Sequence, residues 1–190
     1  VGRAVMTVGL IGIPATAVLI PLAPSLSLLL FAQPLTLRYA ALTGAAAVAM
    51  YYQMITSGLL NALGLQNRSV LTAVLAEFVQ LALVLRWCSR PALGIYGYLL
   101  AMLLSGAGAA FFNLAVLHHA TGFALRPMRR LGLPLMCGAA AGLWTRLFSA
   151  HVASPVLALA MTLAGAGMLC LALLRLCGLH PLRYLAARRE

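Results

Sequence analysis

The chain has 190 residues, 64% of them hydrophobic and 8% charged, with a mean hydropathy of +1.03. Soluble domains carry about 25% charged residues, so an ordinary water-soluble domain is excluded. All thirteen basic residues are Arg, the acids are Glu77 and Glu190, and the net charge is +11. Nucleic-acid binders gather basic residues on a polar face. Here the Arg residues only punctuate apolar runs, and nucleic acid is not an expected partner.

A membrane helix needs about 20 mostly apolar residues to cross about 30 Å of hydrocarbon. The intervals between charges predict six such helices, at about 3–22, 38–62, 69–89, 94–118, 129–149 and 154–177. They make one all-α, polytopic membrane helical bundle over residues 1–190, with no segment left for a soluble domain. Each run is too long for a strand of a membrane barrel, which would alternate over about 10 residues. The first run opens at Val1 without Met, and no small-residue cleavage site leads into a polar region, so a true span is expected rather than a signal peptide. Within it, Pro14 after Gly12 predicts a kink. Pro21, Pro24 and Pro34 are expected to break the helix, leaving 24–31 as a short interfacial helix of about a dozen Å. A second full crossing there would instead invert every later loop.

Polar residues inside spans are the candidate functional positions, because an unsatisfied polar group in hydrocarbon is costly. Gln53, Ser57 and Asn61 on the second helix are spaced i, i+4, i+8 and share a face. Two readings stay open: hydrogen bonding between helices and the lining of a transport path. On the third helix Glu77 follows Arg68 by nine residues, about 13 Å in from the helix end and near the midplane. An ionised carboxylate there costs about 2.5–3.5 kcal/mol. Glu77 is therefore expected to be protonated, paired or turned to a water-filled cavity. It reads either as a coupling site for protons or cations or a head-group contact, or as a structural pair with an Arg elsewhere. Gln80 shares its face at i+3. Asn113, near the inner end of the fourth helix, reads mainly as a link between helices. Gly138 and Gly142 form a GxxxG within GAAAG, and Gly58 with Ala62 and Gly106 with Ala110 repeat the small-residue spacing that lets membrane helices approach closely.

The basic residues also orient the chain. Arg3, Arg68, Arg126, Arg129, Arg130, Arg175, Arg183, Arg188 and Arg189 fall on one side, against Arg38, Arg86, Arg90 and Arg146 on the other. Basic residues stay on the cytoplasmic side of short loops, so both termini are expected there. Tyr39, Trp87, Tyr96, Tyr98 and Trp144 then form an outer aromatic belt.

No enzyme chemistry is visible. Cys88, Cys137, Cys170 and Cys177 contain no CxxC pair. Cys170 and Cys177 share a face about 10 Å apart along the axis, too far to bridge. His118 and His119 are adjacent and make a poor chelating pair, while His151 and His180 stand alone. No GxSxG, HExxH, P-loop or paired carboxylate appears. No metal, cofactor or catalytic residue is expected.

The run YYQMITSGLLNALGLQNRSV, Tyr51 to Val70, resembles a segment of the polysaccharide-export and flippase family in which a Gln precedes Ser-Gly, a Leu and a Gly-containing turn: here Gln53, Ser57, Gly58, Leu60 and Gly64. PALGIYGYLLAMLLS, Pro91 to Ser105, is similar to that family's entrance to the next helix, followed by Asn113-Leu114 and Thr121-Gly122. IGIPATAVLIPLAPSLSLLLF resembles its Pro-kinked helix and short outer helix. The likeness is strongest to the stage V sporulation protein B branch of the multidrug/oligosaccharidyl-lipid/polysaccharide superfamily, related to lipid II flippases. It implies that these are the last six helices of a fourteen-helix transporter with both ends of the segment cytoplasmic. It further implies missing N-terminal helices as partners, and alternating access between two lobes. It also implies membrane lipid and an undecaprenyl-linked sugar as ligands, moved across the bacterial inner membrane for peptidoglycan, spore cortex or polysaccharide assembly. Where that branch often carries a basic residue in the middle of the third helix here, this chain has Glu77 and Gln80. Two alternatives remain: a cation-coupled multidrug extruder using Glu77, and a non-transporting scaffold.

Overall fold

The computed structural model describes residues 2–32, 37–90, 93–122, 132–149 and 155–176. Six helices cover them: α1 (Gly2–Phe31), α2 (Leu37–Ala62), α3 (Gln66–Cys88), α4 (Gly94–Thr121), α5 (Leu133–Ser149) and α6 (Pro155–Leu176). Among the described residues there is no strand. The expected start of the fifth helix at 129, the ends of the sixth at 154 and 177, and Arg126, Arg129, Arg130, His151, His180, Arg183, Arg188 and Arg189 lie outside the described residues.

Among the described residues, three helices carry stretches long and apolar enough to cross a membrane: Ala4–Leu28, Gln66–Cys88 and Gly94–Thr121. Leu133–Phe148 is a shorter apolar helix. The 26-residue α2 has the length, but carries Gln53, Thr56, Ser57 and Asn61 in its second half.

The main departure from expectation is α1. The helix expected to end near residue 22 continues through Pro14, Pro21 and Pro24 to Phe31, so 24–31 is not a separate interfacial helix. Each proline removes one intrahelical bond, freeing the carbonyls of Leu10, Ala17 and Ile20. Packing offsets that loss on several sides. Ile13 and Ala17 lie against α5, Thr16 and Ile20 against Gly44 of α2, and Val18, Leu22 and Leu26 cluster with Ala141 and Ala166. The Ser27 hydroxyl donates to the Pro24 carbonyl at 3.1 Å. Thirty residues span about 45 Å, more than the hydrocarbon thickness, and α1 is one continuous helix rather than a span followed by a second helical segment.

Helix order in space follows from the registers. Tyr39 stacks on Tyr96 with ring centroids 4.2 Å apart, Gly106 lies on Ala49, and Asn113 bonds Ser57. The sequence offset is 56 or 57 throughout, so α2 and α4 run parallel. Gly9 meets Pro134, Ile13 meets Gly138 and Ala17 meets Gly142, a constant offset of 125 that makes α1 and α5 parallel too. The helices of the pair α1–α2 run antiparallel, because Gly12 faces Tyr51 while Thr16 faces Gly44. In α3–α4, Gln80 meets Ser105 while Trp87 meets Gly97, again antiparallel. The spatial order is α6, α5, α1, α2, α4, α3, with α6 also touching α1.

Turn chemistry fits this order. Gly64 takes φ +75° after α2; the Leu65 N–H donates to the Leu60 carbonyl and the Gly64 N–H to that of Asn61. That is the double closure of a glycine-terminated helix. Gly122, at φ +63°, closes α4 onto the His118 carbonyl at 2.9 Å.

Candidate functional site

The polar residues of the spans are divided between two helix interfaces and one outer face. On α4, Gly97, Ala101, Ser105, Ala109, Asn113 and Leu117 recur every four residues and are buried. Two of them are polar, and each reaches a different neighbour. Asn113 Nδ2 donates to Ser57 Oγ at 2.9 Å and to Thr56 Oγ1 at 3.3 Å on α2. Ser105 Oγ donates to Gln80 Oε1 at 2.8 Å on α3. Thr56 donates in turn to the Tyr52 carbonyl at 2.7 Å. These links occupy the polar groups inside protein, where such bonds between membrane helices are worth about 0.6 kcal/mol on average.

Gln53 and Ser57 are therefore half-buried at the α2–α4 contact, with Gln53 Oε1 over Gly106, while Asn61 is exposed at the end of α2. The i, i+4, i+8 stripe does not line one cavity. Thr56 and Ser105, which sequence reasoning passed over, complete the two networks. Ser105 is a single hydroxyl in an apolar run and Thr56 stands beside Ser57, and their partners on other helices are distant in sequence. Gln80 and Glu77 part company: Gln80 turns to α4 and Glu77 is exposed. Glu77 has no hydrogen bond or ion pair among the described residues.

The small residues separate in the same way. An added Cβ at Gly138 would sit 2.6 Å from Ile13 Cγ2, and one at Gly142 would sit 3.4 Å from the Ala17 oxygen. The GxxxG of α5 is thus the seat of α1. Gly58, expected at a packing face, is exposed and meets no atom within 4 Å. The stripe facing α4 places it, one residue beyond Ser57, on the outside of α2. Pro14 is buried within the uninterrupted α1.

Two buried polar atoms lack partners near these contacts, the Tyr52 hydroxyl and Asn113 Oδ1; the indole N–H of Trp144 is a third, against Gly165 of α6. The Tyr52 ring packs with Val5 and Ala110, and its hydroxyl lies over Gly9. Aromatic residues also mark one end of the bundle. Tyr39 and Tyr96 stack there, Trp87 lies against Gly97, and Arg38 and Arg86 lie beside them in the terminal turns of α2 and α3.

A cleft of about 500 Å³ opens between α1 and α2. Its walls are Val8, Gly12, Ala15 and Leu19 on one side and Ala40, Gly44 and Ala47 on the other, with Thr16, Thr43 and Tyr51 as its polar groups. From Val8 to Ala23 it follows α1 for about 22 Å. Among the described residues, no group of three or more His, Cys, Asp or Glu could hold a metal ion. No family model, curated protein or solved structure matches the chain.

Proposed function

We propose that this chain is a membrane transport bundle that helps move a lipid-linked oligosaccharide across the bacterial inner membrane. The observation that carries the reading is the α1–α2 cleft: about 500 Å³, almost entirely apolar, and extended along a helix long enough to cross the bilayer. Its walls suit a hydrocarbon chain. A hydrated sugar would need the polar groups that here are spent between helices. The resemblance of Tyr51–Val70 and Pro91–Ser105 to the flippase branch supports the same class of cargo.

A cation-coupled extruder would place Glu77 on the path. Glu77 lies on α3, which makes no contact with α1, so the extruder reading draws less support. The scaffold reading is favoured by one feature, the broad exposed apolar surface of α3.

The test is reconstitution of the full-length protein in liposomes loaded with undecaprenyl-linked oligosaccharide, with a membrane-impermeant lectin reporting sugar at the outer surface. Protein-dependent appearance of sugar is expected. No movement above empty liposomes, with the helical protein verified by circular dichroism, would discard the transport reading and leave the scaffold.

A further inference from the structure

The third helix carries two seams, and this bundle uses one. Ser69, Ala73, Ala76, Gln80, Leu83 and Trp87 follow one another at alternating steps of four and three and are buried or half-buried, with Gln80 and Trp87 in contact with α4. Rotated along the helix, Val70, Val74, Glu77 and Leu81 follow the same alternation, with Cys88 one heptad beyond Leu81, and all five are exposed. Steps of three and four are the spacing by which one helix seats another. Only 6% of the α3 span is buried, against 33% of α4.

Glu77 decides what the second seam takes. It is the central residue of the 23-residue α3, so a span of this length sets it near the bilayer midplane. A carboxylate facing hydrocarbon there is costly and pairs with a cation or a donor. No described residue supplies one. Among the described residues, a second copy of the chain supplies no cation at that depth either. Arg38, Arg68, Arg86, Arg146 and Arg175 all stand in the first or last turns of their helices, and a two-fold contact would set Glu77 near its own copy, where like charges repel.

We infer that the Val70–Val74–Glu77–Leu81 seam docks another membrane helix, one that carries a basic side chain at mid-depth opposite Glu77. The inference rests on α3 as a membrane span and is independent of the cargo.

Nitroxide labels test it in isolated cell membranes containing the full-length protein, with its native cysteines replaced. Labels go on Val74 and Leu81 in the seam, and on Leu75 and Val79 on the opposite flank. Oxygen reports lipid, and a water-soluble nickel chelate reports aqueous access. The seam labels should be shielded from both relaxants while Leu75 and Val79 are open to oxygen, and Glu77→Leu should restore oxygen access at Val74 and Leu81. Oxygen access at the seam equal to that at Val79 would overturn the inference, since bare lipid would cover it. Nickel access would overturn it in favour of a water-filled path. Dipolar broadening between Leu81 labels of two copies would overturn it in favour of self-association. Shielding that survives Glu77→Leu would remove the cation from the contact.

Discussion

Gly142 lies on the Ala17 carbonyl, close enough that a Cβ would approach that oxygen to 3.4 Å, and Ala17 is the residue whose intrahelical donor is removed by Pro21. One turn earlier Gly138 lies on the Ile13 side chain, next to Pro14, with 2.6 Å between the absent Cβ and Cγ2. A glycine pair on α5 therefore covers the part of α1 that proline has weakened. Gly138→Leu should destabilise the folded protein by about 1–3 kcal/mol, the range for overpacking. Gly58→Ala, at an open helical position, should add up to about 1 kcal/mol through helix propensity. Thermal unfolding in detergent micelles reads both, and equal effects at the two sites would refute the packing role of Gly138.

Asn113 and Ser57 tie α4 to α2 at 2.9 Å. Asn113→Leu and Ser57→Ala, combined in a double-mutant cycle, should show a coupling of about 0.6 kcal/mol and no more than about 1.7 kcal/mol. The same cycle between Asn113 and Gln80, which belong to different interfaces, should be additive. Coupling across that second pair would mean that the polar groups form one path.

The Tyr52 hydroxyl is buried without a partner, and an unpaired buried donor costs about 1–3 kcal/mol. Tyr52→Phe keeps the ring among Val5 and Ala110 and removes the orphan group. The variant should unfold at a higher temperature than the parent in the same detergent. A lower midpoint would show that the hydroxyl is bonded in the membrane state.

Most helix positions were legible in the sequence as uncharged intervals, such as Arg38 to Arg68 around α2 and Arg90 to Arg126 around α4. The Gly-containing turn expected at Gly64 is present, where positive φ favours glycine. Sequence reasoning misjudged α1, because proline propensity is local while the support for Pro14, Pro21 and Pro24 comes from α2, α5 and α6. The candidate site was legible as a set of residues and not as an arrangement. Spacing put Gln80 with Glu77, yet the three-residue step between them turns Gln80 onto Ser105 and Glu77 outward. Gly58 and Gly138 look alike in sequence, and only the neighbouring helix separates them.

The α1–α2 cleft was not visible as a motif, since its walls are ordinary Ala, Gly, Val and Leu. Its contribution can be tested by filling it. Ala47 is half-buried on the α2 wall, so Ala47→Trp places an indole inside the cleft without touching the α2–α4 network. If hydrocarbon of the cargo occupies the cleft, this variant should lose lectin-detected transport of the lipid-linked oligosaccharide in liposomes. Thr43→Val, which keeps the volume and removes a polar group from the same wall, should retain it. Unfolding midpoints near that of the parent for both variants would assign the difference to occupancy. Transport by Ala47→Trp at the parental rate would mean that the hydrocarbon travels elsewhere, along the bilayer or a different face of the bundle.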